Sequence, residues 1–386
     1  MQRFFLSLLF PLFLCTPKMF GIVTCVRAQT ITIPLRADAW DLAGAQVEFE
    51  TLQGQPAMKL NDKGADATGS NLVRVKDFAF RNGTIEYDIA LQEGARFSSC
   101  HFRMQDADNS EHVYLRAAFI GDPNNSSGFQ YAAVVDGVNY WDLSFPYQTG
   151  VKMNPAGEFN RVKLVVRDQQ MLAYVNDMDY PALYIPIMDG TVDAGSIGFD
   201  GKAWISNVRV TPDATPGLNA GAGFDPVHND VRYLRNWQVS QPVDFPQGRE
   251  VVAADLPGKG VAWEDITAEH HGMVNLSRKF GQTPRGSRRM VWLKTILNAQ
   301  SATDRELRLG ISDEVTIYLN GNYLYTGKNP YAAPGMMAPR GRATPENATV
   351  QLALQEGDNE VLIGVANYFF GWGIVAQLND GSGLRY

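Results

Sequence analysis

Seven short runs of alternating apolar and polar residues lie between Ile31 and Val210, and they constrain the fold more than any other feature of the chain. They are TIEYDIAL (84–91), SSCHFRM (98–104), HVYLRAAF (112–119), GFQYAAVV (128–135), FNRVKLVVR (159–167), QMLAYVN (170–176) and AWISNVRV (203–210). Successive side chains of a strand point to opposite faces, so each run can bury one face and leave the other polar. The separators RNG (81–83), DADNS (106–110), GDPNNSSG (121–128), DGVN (136–139) and FDGK (199–202) are rich in turn-forming residues. Apolar spacing of the helical kind, i, i+3, i+4, i+7, is almost absent. Regular short strands of this sort predict an antiparallel sandwich with one concave and one convex sheet.

The stretch TPDATPGLNAGAGFDPVHND (211–230) is proline- and glycine-rich without periodicity, and reads as a linker. Beyond it the alternation resumes in RRMVWLKTIL (288–297), RELRLGIS (305–312), EVTIYLNG (314–321), ATVQLAL (348–354), NEVLIGVAN (359–367) and GIVAQL (373–378). The chain is also longer than one hydrophobic core normally serves. The expectation is therefore an all-β protein of two β-sandwich domains, 29–210 and 231–386, joined by a Pro/Gly-rich linker at 211–230.

The first residues, MQRFFLSLLFPLFLC, combine a basic start with a short apolar run, the pattern of a secretory signal. Val26 and Ala28 place its cleavage after residue 28. Cleavage removes Arg3, Lys18 and Arg27 but no acid, so the net charge moves from −7 to −10. Nucleic acid is then an unsuitable partner, because no basic stripe is left to neutralise phosphates. Only Cys100 survives cleavage, on the apolar side of its strand, where it reads as a buried structural thiol. Secretion without disulfides suits a bacterial periplasm or cell surface, and no membrane span is expected in the mature chain.

The segment HFRMQDADNSEHVYLR (101–116) supplies the best candidate site. Alternation places His101 and Arg103 on one face of the first strand and His112, Tyr114 and Arg116 on one face of the next. Gln130, Tyr131, Trp141 and Lys163 on later segments can join them. Sugar recognition uses flat aromatic surfaces for C–H faces and fixed polar groups for hydroxyls. The plainer reading is solvated arginines, or arginines paired with Asp106, Asp108 or Glu111. Adjacent like charges cost energy unless a partner offsets them, so the cationic group suits a ligand bearing carboxylate or sulfate.

Other chemistries find less support. EYDIA (86–90) approaches the Glu-x-Asp-x-Glu strand of sandwich-fold glucanases but has Ala90 where the last carboxylate belongs, so Glu86 and Asp88 read as a polar strand face. EHH (269–271) lacks zincin spacing and reads as exposed strand residues. No nucleophile elbow or phosphate loop occurs. No cofactor is expected, apart from a structural calcium ion that loops such as GDPNNSSG or DGTVD could hold. NYFFGWG (367–373) divides between core and a rim platform, and RGSRR (285–289) reads as a solvated basic turn.

FAFRNGTIEYDI, HFRMQDADNSEHVYLR, FQYAAVVDGVNYWDL, FNRVKLVVRDQQMLAYVND and GSIGFDGKAWISNVRV together resemble the laminin-G-like, concanavalin-type sandwiches of secreted bacterial proteins, including 3-keto-disaccharide hydrolase-like domains. ISDEVTIYLNGNYLYTG followed by LQEGDNEVLIGVANYFFGWGIVAQL is similar to galactose-binding-type jelly rolls. The resemblance implies a carbohydrate-binding protein that holds an oligo- or polysaccharide on the concave face of the first sandwich. The alternative it allows is a glycan-active enzyme on the same face, a polysaccharide lyase or a 3-keto-glycoside or glycoside hydrolase. In a lyase, Arg103 or Arg116 would neutralise a uronate while His101 or Tyr114 served as base or acid. Such a fold can also serve as an adhesion protein that binds another protein.

Overall fold

A computed structural model describes residues 29–61, 71–221 and 223–386, and the expected signal sequence, 1–28, lies outside them. The protein is all-β. Two eight-stranded sheets are built from residues 31–212, and an eight-stranded and a four-stranded sheet from residues 236–385.

In the first sandwich, one sheet runs in the order Leu183–Ile185, Gln170–Val175, Phe159–Arg167, Gly83–Leu91, Ala203–Pro212, Gln55–Leu60, Val47–Leu52, with Ile31–Thr32 as an eighth strand paired to Ala203–Pro212. The second sheet runs Val138–Asn139, Phe129–Val135, Ser110–Arg116, Phe97–Met104, Ser196–Gly201, Val73–Val75, Trp40–Asp41, with Gln148–Thr149 as an eighth strand paired to Phe129–Val135. Apolar alternates from both sheets, among them Ile85, Tyr87, Ile89, Cys100, Phe102, Val113, Leu115, Val162 and Leu164, meet in one core. Hydrophobic burial of these alternates fixes the register, because a slip of one residue would expose the whole set. Glu86 and Asp88 stand on the outer side of the first sheet, where Arg161 pairs with them at 2.8 and 3.2 Å.

The second sandwich repeats the logic with Val291, Leu293, Leu307, Leu309, Ile317, Ile363 and Ile374 at its centre. Trp372 of NYFFGWG is fully buried there, whereas Phe370 of the same turn is 38% exposed. RGSRR is not a uniformly solvated turn. Arg288 is buried, bonded to Glu314 and to the carbonyls of Pro246 and Arg249.

The proline- and glycine-rich stretch after residue 210 is packed rather than free. Leu218 is buried with Val165 and Tyr174, Arg167 donates to the Leu218 carbonyl, and Gln170 donates to the carbonyls of Asn219 and Gly221. A third apolar cluster then joins the sandwiches: Ala133, Val135, Val138, Tyr140 and Leu143 of the first pack on Tyr233, Met273, Ala343 and Val375 of the second. EHH also lies in this seam instead of on an exposed strand. His270 meets Asp189 at 2.7 Å, and His271 meets the Tyr147 hydroxyl at 3.0 Å and stacks on Phe145.

Candidate functional site

The outer face of the second sheet forms the floor of a cavity of about 1040 Å³, and the second sandwich supplies part of its wall. A ladder of rings runs across that floor. His101 stacks on His112 at 5.0 Å between centroids, His112 stacks on Tyr114 at 5.3 Å, and the Arg116 guanidinium lies 4.9 Å from the Tyr114 ring centre. The ladder follows from register. His101 pairs with His112 across neighbouring strands, and His112, Tyr114 and Arg116 are alternate residues of one strand.

The two histidines are held differently. His101 bonds Ser110 Oγ through Nδ1 at 3.0 Å and Asp200 Oδ2 through Nε2 at 3.2 Å. Burial alone would raise the Asp200 carboxyl, but the hydrogen bond and charge of His101 hold it below the usual carboxylate range. Burial, reinforced by His101, pushes the His112 imidazole well down, so His112 stays neutral. Its Nε2 faces the Asn139 amide at 3.5 Å and its buried Nδ1 has no hydrogen-bond partner. Ser110, His101 and Asp200 are linked in the order of a nucleophilic triad, yet Ser110 is only 1% exposed and does not line the cavity. An attacking oxygen must reach its substrate, so this chain of hydrogen bonds orients His101 and supplies no nucleophile.

Arg116 donates to the Ser127 carbonyl at 2.6 Å and to Gln130 Oε1 at 2.7 Å. Gln130 is fully buried and acts from behind the floor. The GDPNNSSG loop, considered above as a calcium loop, contributes Asn125, Ser126 and Ser127 to the rim. Among the described residues no group of three or more His, Cys, Asp or Glu side chains is arranged to hold a metal ion.

Trp141 stands where the sandwiches meet. Tyr331 packs edge-on against it at 4.7 Å, Phe370 does so at 5.9 Å, and the Arg342 guanidinium lies 5.5 Å from its ring centre. Arg342 also donates to the Trp141 carbonyl and, at 2.9 Å, to Gln148 Oε1. The next residue, Asp142, is buried and accepts from the Gly371 amide at 3.2 Å and from Ser312 Oγ at 3.4 Å. Burial raises its carboxyl to about 7. The first sandwich thus presents an indole that the second clamps from three sides.

The eight candidate residues therefore separate. His101, Tyr114, Arg116 and Trp141 line the cavity, and Gln130 backs it. Arg103, Tyr131 and Lys163 do not belong to it. At Arg103 a β-bulge sets Phe102 and Arg103 against a single residue of the neighbouring strand, and Arg103 adopts a positive φ of 48°. The bulge ends the alternation and turns Arg103 to the Arg81 carbonyl and Asn82. Tyr131 is a core residue whose hydroxyl donates to Glu111, itself buried and raised to about 7 mainly by that burial. Lys163 lies on the opposite sheet, donating to the Met178 carbonyl. Neither Arg103 nor Arg116 forms an ion pair with Asp106, Asp108 or Glu111 among the described residues.

Several lining residues were not among the eight: Arg96, Phe97, Asp200, Tyr331, Arg340 and Phe370. Phe97 was within reach of the alternation argument, since it shares a face with Ser99 and His101. Tyr331 and Arg340 reach the cavity only through the docking of a long loop, for which no local pattern exists.

No protein-family model matches the chain, and neither does any curated protein sequence. Solved structures that match include the carbohydrate-binding module CBM66 from Bacillus subtilis, 16% identical over 45% of this chain and 95% of that one, TM-score 0.33. Another is a protein of unknown function with a galectin-like fold from Bacillus subtilis, 12% identical over 47% and 94%, TM-score 0.34. A third is described as a native glycosidic hydrolase, 13% identical over 49% and 97%, TM-score 0.34. At such scores the functional reading rests on the cavity itself.

Proposed function

We propose that this chain is a carbohydrate-binding protein that holds an oligosaccharide, or a segment of a polysaccharide, in the cavity between its two sandwiches. The observation that carries the reading is the composition of that cavity. The rings of Tyr114, Trp141, Tyr331, Phe97 and Phe370 share the lining with polar side chains in a space of about 1040 Å³. Apolar ring faces suit the C–H faces of pyranoses, and the polar groups suit hydroxyls. The volume stands at the upper end of ligand pockets, which favours several sugar units over one.

The reading keeps the laminin-G-like description for 29–210 and the galactose-binding-like description for 231–386, with the division at 211–230 and export of the mature chain to the periplasm or cell surface. It makes the second sandwich part of the same site. Affinity electrophoresis and calorimetry of the whole chain against a glycan panel test it. Saturable binding of at least one glycan is expected, and binding of none would refute it.

A second reading, glycan cleavage at the same place, draws on neutral His112 stacked against Tyr114 under Arg116. Chromatography of the incubated panel separates the two. New oligosaccharides or unsaturated ends would establish cleavage, whereas unchanged chains with bound protein leave the binding account.

A further inference from the structure

Arginines from both sandwiches line the cavity: Arg96 and Arg116 from the first, Arg340 and Arg342 from the second, against the carboxylates of Asp108 and Asp200. These groups are not equally committed. Arg116 and Arg342 are spent on neutral acceptors, the Ser127 and Trp141 carbonyls and the amides of Gln130 and Gln148. Asp200 is bonded to His101. Arg96 and Arg340 are exposed, and neither side chain has a hydrogen bond or ion pair among the described residues. The lining therefore holds two uncommitted guanidiniums on separate sandwiches, with Asp108 as the remaining carboxylate. The net charge of the whole chain is −7, so this local excess of positive charge runs against the composition.

Guanidinium groups gathered over a cavity repel one another unless an anion offsets them. Their planar forks match carboxylate and sulfate in a two-point geometry that hydroxyls reproduce less well. We propose that the glycan held in this cavity carries carboxylate or sulfate groups, and that Arg96 and Arg340, one from each sandwich, select for it. The proposal rests on the glycan-binding reading above and adds the chemical class of the ligand. Because the two arginines belong to different sandwiches, an anionic chain spanning both would read their docked arrangement.

The test is calorimetric titration of the whole chain with neutral gluco-oligosaccharides, oligouronates and sulfated galacto-oligosaccharides of matched length. One anionic set should bind at least about tenfold tighter than the neutral set near 50 mM salt, and the gap should narrow near 500 mM as screening grows. Which anionic set binds tells carboxylate from sulfate. The double variant R96Q/R340Q, changed at exposed positions, should reduce the preference to within about threefold. Neutral chains bound as tightly as anionic ones, or a preference that survives the double substitution, would overturn the proposal while leaving the glycan-binding reading in place. Binding of none of the three sets would overturn the proposal, and binding of no glycan of the wider panel would remove the glycan-binding reading as well.

Discussion

Trp141 owes its position to neighbours on both sandwiches: Asn139 accepts its backbone amide at 3.1 Å, while Arg342, Tyr331 and Phe370 surround the ring. Removing the indole should leave the sheets intact and take away the largest flat surface of the wall. Trp141→Ala is expected to weaken glycan binding roughly tenfold, the equivalent of about 1.4 kcal/mol, with circular dichroism unchanged. His112 makes a different prediction. Its folded imidazole stays neutral because burial and His101 disfavour the charge, whereas the unfolded imidazole takes a proton near pH 6.5. Unfolding therefore takes up a proton as the pH drops below about 6.5, and stability falls in that direction. His112→Phe keeps a stacking ring without the titration. Its denaturation midpoint should decline less than that of the parent between pH 7 and pH 5, and parallel declines would show that His112 titrates freely.

At the scale of elements, the turn Asn367–Gly373 decides whether the second sandwich can reach the first. Buried Asp313 accepts from the amides of Tyr368 and Phe369, and Asp142 accepts from Gly371, so the turn is gripped from both sides. A Cβ on Gly371 would lie 2.4 Å from Leu143 Cγ and 2.6 Å from Asp142 Oδ1. Gly371→Ala should therefore force the seam apart, costing on the order of 1–3 kcal/mol in thermal or denaturant unfolding and weakening glycan binding with it. The strands themselves were legible from sequence. FNRVKLVVR and ATVQLAL end where their alternation ends, because one buried face per strand dictates both extent and register. The alternation also placed His101, Tyr114 and Arg116 on one floor. It failed at Arg103, where a bulge inserts one residue and rotates the side chain away, and at Lys163, whose strand belongs to the other sheet. Alternation assigns a face within a strand but does not say to which sheet the strand goes. Tyr331, Arg340 and Arg342 were illegible for a further reason, since their role depends on docking between distant parts of the chain.

For the whole molecule, the seam makes one site from two sandwiches, and its titratable groups give it a pH dependence. Burial lowers the His270 imidazole, but the hydrogen bond and charge of Asp189 outweigh that and raise it, so its contribution is full below about pH 6.5 and is lost as the pH climbs through the raised value. Asp189 is depressed by the same contact despite its burial, and its contribution is lost only as the pH falls below the ordinary carboxylate range. Asp142, raised to about 7 by burial, makes its charged form costly in the folded state and so weakens docking as the pH rises toward that value. Docking should be tighter at pH 7 than at pH 9, since His271, whose imidazole burial and His270 lower, opposes the trend only below about pH 6.5. Limited proteolysis of the loops at the seam should be faster at the higher pH, and His270→Gln should flatten that difference.

The central claim, a glycan site shared by both sandwiches, is tested most directly by hydrogen exchange of the whole chain with and without the tightest-binding oligosaccharide. The account predicts protection in two separate places, the 97–116 strands and the 329–342 loop, at the same ligand concentration. Protection confined to the first sandwich, or to surfaces away from both segments, would contradict it.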